Sequence, residues 1–134
     1  MRIRQLNSGT PNNPQSLLFV LRGADMQSTA DQALTKTGAF TDYVITKVIA
    51  KRISGGTSVA CAGGIYTAAS KAGSQLIGVA QSWVALTGAG KIVDATLAAL
   101  LATDAQSATP ILSLTTGSTA AATADILIWG VVVD

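Results

Sequence analysis

The stretch that comes nearest to a chemical motif is Thr87-Gly88-Ala89-Gly90-Lys91. A glycine-rich loop followed by lysine cradles phosphate when a further glycine lies five residues before the second Gly and a Ser or Thr follows the Lys. Those positions hold Ala85 and Ile92, so one required glycine and the Mg²⁺-binding hydroxyl are both missing. The dinucleotide fingerprint fails as well, because Val93 stands where its third glycine belongs. Metal and acid–base chemistry are equally thin. The chain has no histidine and no glutamate, and its seven acids are all Asp. Histidine is the commonest general base near neutral pH and the commonest metal ligand. The aspartates do not follow calcium-loop spacing. Asp25, Asp104 and Asp125 read instead as residues that bond nearby backbone N–H groups in turns. Cys61 is the only cysteine, set among small residues, and reads as a buried thiol with no partner for a disulfide and no base to activate it. The expectation is therefore a protein that is not an enzyme and that carries no cofactor and no metal.

The elements that hold these residues read as strands. Hydrophobic residues make up 49% of the 134, charged residues 12% and aromatics 4%, against a usual charged share of about 25%. Val, Ile and Thr are abundant, and their branched β-carbons suit a pleated surface. Residues 1–15 read as an extended arm of turn-forming residues, and 16–134 as a single domain. Strands are expected at Leu17–Leu21, Asp31–Lys36, Tyr43–Ile53, Ser58–Ala62 (returning as a hairpin after a Ser54–Thr57 turn), Gly64–Ala69 after a Gly63-Gly64 turn, Ile92–Ala102, Ile111–Thr116 and Asp125–Val133. Leu76–Val79 continues the chain, one or two helical turns are expected over Ala80–Leu86, and Gly117–Ala124 reads as a loop. Gly130 is expected to mark a bulge or a close backbone approach. About eight short strands separated by turns make a β-sandwich or jelly roll the expected fold.

Trp83 and Trp129 are the only tryptophans, and with so few aromatics each is expected to fill the core or an interface. The shortage of charge leaves too little polar surface to cover the domain, which implies apolar patches and self-association or docking on a larger assembly. A net charge of +2 with scattered basic residues points away from nucleic acid. The apolar runs are too short to span a bilayer, so no membrane partner is expected.

From about Gly23 to Asp134 the chain resembles a family of small phage virion proteins. These are β-sandwich or jelly-roll modules found as trimeric capsid-decoration (cement) proteins and, in related forms, as tail or fibre modules. The resemblance rests on Ala30-Asp31-Gln32, Tyr43-Val44-Ile45, Ala62 to Ala68, Ala85-Leu86-Thr87, Leu112 to Thr115 and Ala122 to Gly130. It implies a structural protein of the capsid surface, assembled in the host cytoplasm, whose partners are further copies of itself, as a trimer, and the major capsid protein. A tail, fibre or receptor-binding module is the alternative. Arg2, Arg4, Asn12 and Asn13 of the arm, with Trp129, are the residues expected at the capsid or subunit interface.

Overall fold

The computed structural model describes residues 15–57, 60–98 and 105–133. Nine strands form: β1 (Ser16–Asp25), β2 (Gln32–Ala33), β3 (Thr35–Lys36), β4 (Tyr43–Gly55), β5 (Ala62–Ala68), β6 (Ala72–Ile77), β7 (Ile92–Asp94), β8 (Ile111–Thr116) and β9 (Ala122–Val132). They pair antiparallel in two sheets, ordered β3-β1-β9-β4-β7 and β2-β8-β5-β6. The pairing is nested. β1 lies against β9, β2 against β8, β4 against β7 and β5 against β6. With β3 set aside as an added edge, this is the strand order of an eight-stranded jelly roll, two sheets rolled face to face over one core.

β9 shows why the sandwich closes. Its residues alternate strictly, and Ala122, Ala124, Ile126, Ile128 and Val132 point into the core. Leu18, Phe19, Tyr43, Ile45, Val48 and Ala50 meet them from β1 and β4, while Ile65, Leu76, Leu112 and Leu114 come from the other sheet. Burying each larger side chain contributes roughly 1.5–3 kcal/mol. Phe19, Phe40 and Tyr43 pack edge to face with centroids 5.0–5.8 Å apart, a geometry worth about 0.5–1.5 kcal/mol per pair beyond burial. The Tyr43 hydroxyl donates to the Ala108 carbonyl, and burial pushes its pKa well above the ordinary phenol value.

Several local expectations are corrected. Ser54–Ala62 does not form a hairpin. β4 pairs with β7 and β9, and the chain then crosses to the other sheet. Thr57 anchors the crossing, its N–H on Leu86 O and its hydroxyl on Trp83 O at 2.7 Å, and Ala60 turns at φ 68°; Ser58 and Val59 lie outside the described residues. Gly63 and Gly64 are not a turn but part of β5. A Cβ on Gly63 would sit 2.4 Å from Leu114 Cα, so the glycine marks a close approach of backbones. Ala80–Leu86 is not helical. It runs back along β5, with Gly63 N–H on Gln81 O and Trp83 N–H on Cys61 O. Of the Ile92–Ala102 stretch, residues 92–98 are described, and among them the strand is Ile92–Asp94. Asp31–Lys36 is two strands, because the chain changes sheets at buried Leu34. β9 begins at Ala122, inside the stretch read as a loop.

Candidate interaction surface

Among the described residues, polar or exposed apolar groups gather first on the four-stranded sheet, then in a cleft and then on the outer face of the five-stranded sheet. On the four-stranded sheet, the Ser113 hydroxyl donates to Asp31 Oδ1 at 2.8 Å and accepts from Lys71 Nζ at 3.0 Å. Asp31 Oδ2 accepts the Ser70 N–H at 2.7 Å. A lysine beside a serine is the geometry of a Ser–Lys nucleophile pair. Here the serine is fully buried and already bonded on both sides. The group is better suited to hold structure. Ser70 and Lys71 are consecutive non-glycine residues at φ 59° and 60°, forming the tight turn between β5 and β6, with Ala72 N–H on Ala69 O. Side chains resist that backbone region, and Asp31 and Ser113 hold it in place. The Ser70 amide and then the Ser113 hydroxyl keep the Asp31 carboxyl below its usual range, helped by Lys71 and opposed by desolvation.

The second place is an open cleft of about 570 Å³ lined by Gln75, Gly78, Gln81, Ser82, Thr96 and Leu97. The Gln81 amide spans it, accepting the Thr96 N–H at 2.9 Å and donating to Ser82 O at 2.9 Å. Its polar groups thus serve the loop that forms it.

The third is the outer face of the five-stranded sheet. Because alternate β9 residues enter the core, Leu127, Trp129 and Val131 point away from it. Leu17 of β1 lies directly across from Trp129, and Val20 across from Leu127. On the other side Val44 lies across from Val131 and Ile49 across from Leu127. All seven are partly exposed. Ion pairs border and enter this strip: Arg22–Asp125 at 3.0 Å, and Lys47–Asp94 at 3.3 Å with Lys47 across from Trp129. Both neighbours of β9 are bulged beside Trp129, β1 between Leu17 and Phe19 and β4 between Ile45 and Lys47. Bulges add twist and re-aim side chains. Inside the same strand, Gly130 admits the Val44 carbonyl, which a Cβ would meet at 2.1 Å, so its expected close approach is present.

The expected site residues divide. Trp129 lies at the middle of this strip. Arg2, Arg4, Asn12, Asn13 and Asp104 lie outside the described residues. Trp83 is a core residue, buried, with its indole N–H on Gly63 O at 3.1 Å. Asp25 accepts the Gln27 N–H in a local turn. Asp125 instead accepts Gly23 N–H from the bulge of the neighbouring strand, as well as Arg22. Cys61 is buried, and burial pushes its thiol pKa up, partly offset by a backbone bond from Ser118. Lys91, which ends the phosphate-loop-like stretch, donates its N–H to Gly88 O in an ordinary turn. Among the described residues no three His, Cys, Asp or Glu side chains gather as metal ligands, and no helix is long and apolar enough to cross a membrane. Leu17, Val20, Val44 and Ile49 escaped the sequence reading as surface residues. The signal for their neighbours was present, since Leu127, Trp129 and Val131 recur at period two.

Comparison with known proteins finds no matching family model, curated protein or solved structure.

Proposed function

We propose that this chain is a structural subunit of a virus particle, a capsid-decoration protein that self-associates, as a trimer, and binds the shell lattice. The observation that carries the reading is the Trp129-centred apolar face on a molecule whose polar clusters are engaged internally. The phage virion resemblance supports the location, and jelly rolls recur in capsid and lectin domains, although a fold alone does not assign a function.

The size of the face fits attachment in an array. Three long strands spaced about 4.8 Å apart and some 35 Å long offer a flat area of roughly 500 Å². A standard stable interface needs about 800 Å² per partner. One such contact is therefore weak, and lasting attachment comes from many made at once on a repeating lattice. Contacts that form only in the assembled shell stabilise it by mass action. The arm residues Arg2, Arg4, Asn12 and Asn13 belong to the same proposal, as the segment reaching a neighbour or the shell. The receptor-binding alternative finds less support. Trp129 is the aromatic with partial exposure, and it lies between apolar Leu17 on one side and Lys47 on the other, with that lysine already paired to Asp94.

The test is solution mass by light scattering over a concentration series, followed by co-sedimentation with emptied phage shells. Self-association and shell binding that both weaken in Trp129→Ser are expected. A monomer at every concentration that also ignores the shells overturns the reading.

A further inference from the structure

The two most exposed large hydrophobic side chains in the described structure are Ile92 at 55% and Ile53 at 45%. They meet at one corner. Ile92 opens β7 directly across from Lys51, and Ile53 lies two residues beyond Lys51 on β4. A bulge between Arg52 and Ser54 falls at Ile53, the kind of irregularity that turns a side chain away from the regular pleat.

The corner is also where positive charge gathers. Lys51 shares the outer face with Ile92, Arg52 and Lys91 alternate to the other side at the same strand ends, and among the described residues neither lysine lies within ion-pair distance of an acid. Asp125 lies across from Lys51, but its oxygens are taken by Arg22 and the Gly23 N–H. Asp94 is held by Lys47. The other described charges, Arg22, Lys36 and Lys71 against Asp25, Asp31, Asp42 and Asp125, leave one negative. Among the described residues the positive excess is thus concentrated at this corner.

Its backbone is fixed before anything binds. Arg52 N–H donates to Lys91 O, and Arg52 Nε–H to Gly55 O at 2.8 Å. Gly55 turns at φ 67° against Ala121, whose carbonyl a Cβ would strike at 1.9 Å. Gly56 packs on Thr87, whose carbonyl a Cβ would meet at 2.6 Å. A rigid apolar pair beside cations complements a surface with an apolar spot among carboxylates.

We propose that the Ile53–Ile92 corner docks an acidic protein surface, and that this is a contact by which the subunit meets its shell, at the end of the same sheet face that carries Trp129. This assignment rests on the proposed function for the partner's identity but not for its chemistry. A nucleic acid fits less well, since no aromatic side chain accompanies the cations to stack on a base.

The experiment is a titration of the ¹⁵N-labelled full chain, followed by amide shifts. The probe is a soluble Glu/Leu peptide, with a Gln/Leu and a Glu/Ser peptide as controls. Phosphatidylserine–phosphatidylcholine vesicles and single-stranded DNA are separate arms. The expected result is shifts confined to residues 51–56 and 88–93 with the Glu/Leu peptide. Lys51→Glu/Lys91→Glu, and separately Ile92→Ser, weaken it by about tenfold or more while the mass by light scattering is unchanged. All these positions are exposed, so the variants keep the fold, checked by their thermal melts. No shift, shifts elsewhere, equal binding of either control peptide, or tighter binding of vesicles or DNA at the corner overturns the proposal. A monomeric wild type that still takes the peptide at the corner would remove the self-association reading alone.

Discussion

Asp31 illustrates how one side chain fixes a backbone that the chain would not choose by itself. Its carboxylate takes the Ser70 N–H and the Ser113 hydroxyl, and through them holds two residues in left-handed backbone. Because the folded-state pKa is lowered, the contribution is fully present above the ordinary carboxylate value of about 3.9 and is lost as pH falls through the lowered one. Thermal melts of the wild type and Asp31→Asn should therefore differ by a constant amount near neutral pH. That gap should close on acidification below the ordinary carboxylate range, and a gap independent of pH would remove the role assigned to the charge. None of this was legible in the sequence. Asp31, Ser113 and Lys71 are far apart along the chain, and only the sheet order β2-β8-β5-β6 brings them together. Cys61 and Trp83 were legible, because a lone thiol among small residues and an isolated tryptophan have few destinations besides the core.

At the scale of the element, glycine has two separate roles here. Gly63 sits inside β5 where β8 passes so close that a methyl group would meet the Leu114 and Ser113 backbone at 2.4 and 2.8 Å. Backbone atoms cannot step aside as a flexible side chain does, so Gly63→Ala should destabilise the fold by about 2–4 kcal/mol. Gly38 has open space around it and no positive φ, and Gly38→Ala should stay within about 0.5 kcal/mol of wild type. Denaturant unfolding of the pair checks both, and equal effects would show that the close approach is not what Gly63 provides. The same glycine pair explains a misreading. Gly63-Gly64 looks like a turn by composition, and nothing local shows that the neighbouring strand needs the space. Strands with strong patterns, Tyr43–Ile53 and Asp125–Val133, were found nearly to their ends. Further failures lie where strands are two or three residues long, as in β2, β3 and β7. There the ladder is set by the partner rather than by the segment's own alternation.

For the whole molecule, the fold class followed from composition, but the nesting of strands did not, because pairing β1 with β9 joins residues over 100 positions apart. The arrangement leaves one tryptophan buried and one on the surface strip, which makes the two separable by fluorescence. With Trp83→Phe, acrylamide should quench the remaining Trp129 readily in dilute solution and less as concentration rises and faces pair. With Trp129→Phe, Trp83 should be shielded throughout. Quenching of Trp129 that does not depend on concentration would count against the face as a self-contact. The placement of β9 has a further consequence for biosynthesis. It is the last strand in chain order, yet it occupies the middle of the five-stranded sheet, with β1 and β4 on either side. During translation both flanking strands leave the ribosome without their principal neighbour and must wait for it. Folding of that sheet is thus paced by long-range pairing, on the millisecond-to-second scale of β-sandwiches. In that interval the edges of β1 and β4 are open, and nascent chains crowded on one message are exposed to pairing with one another.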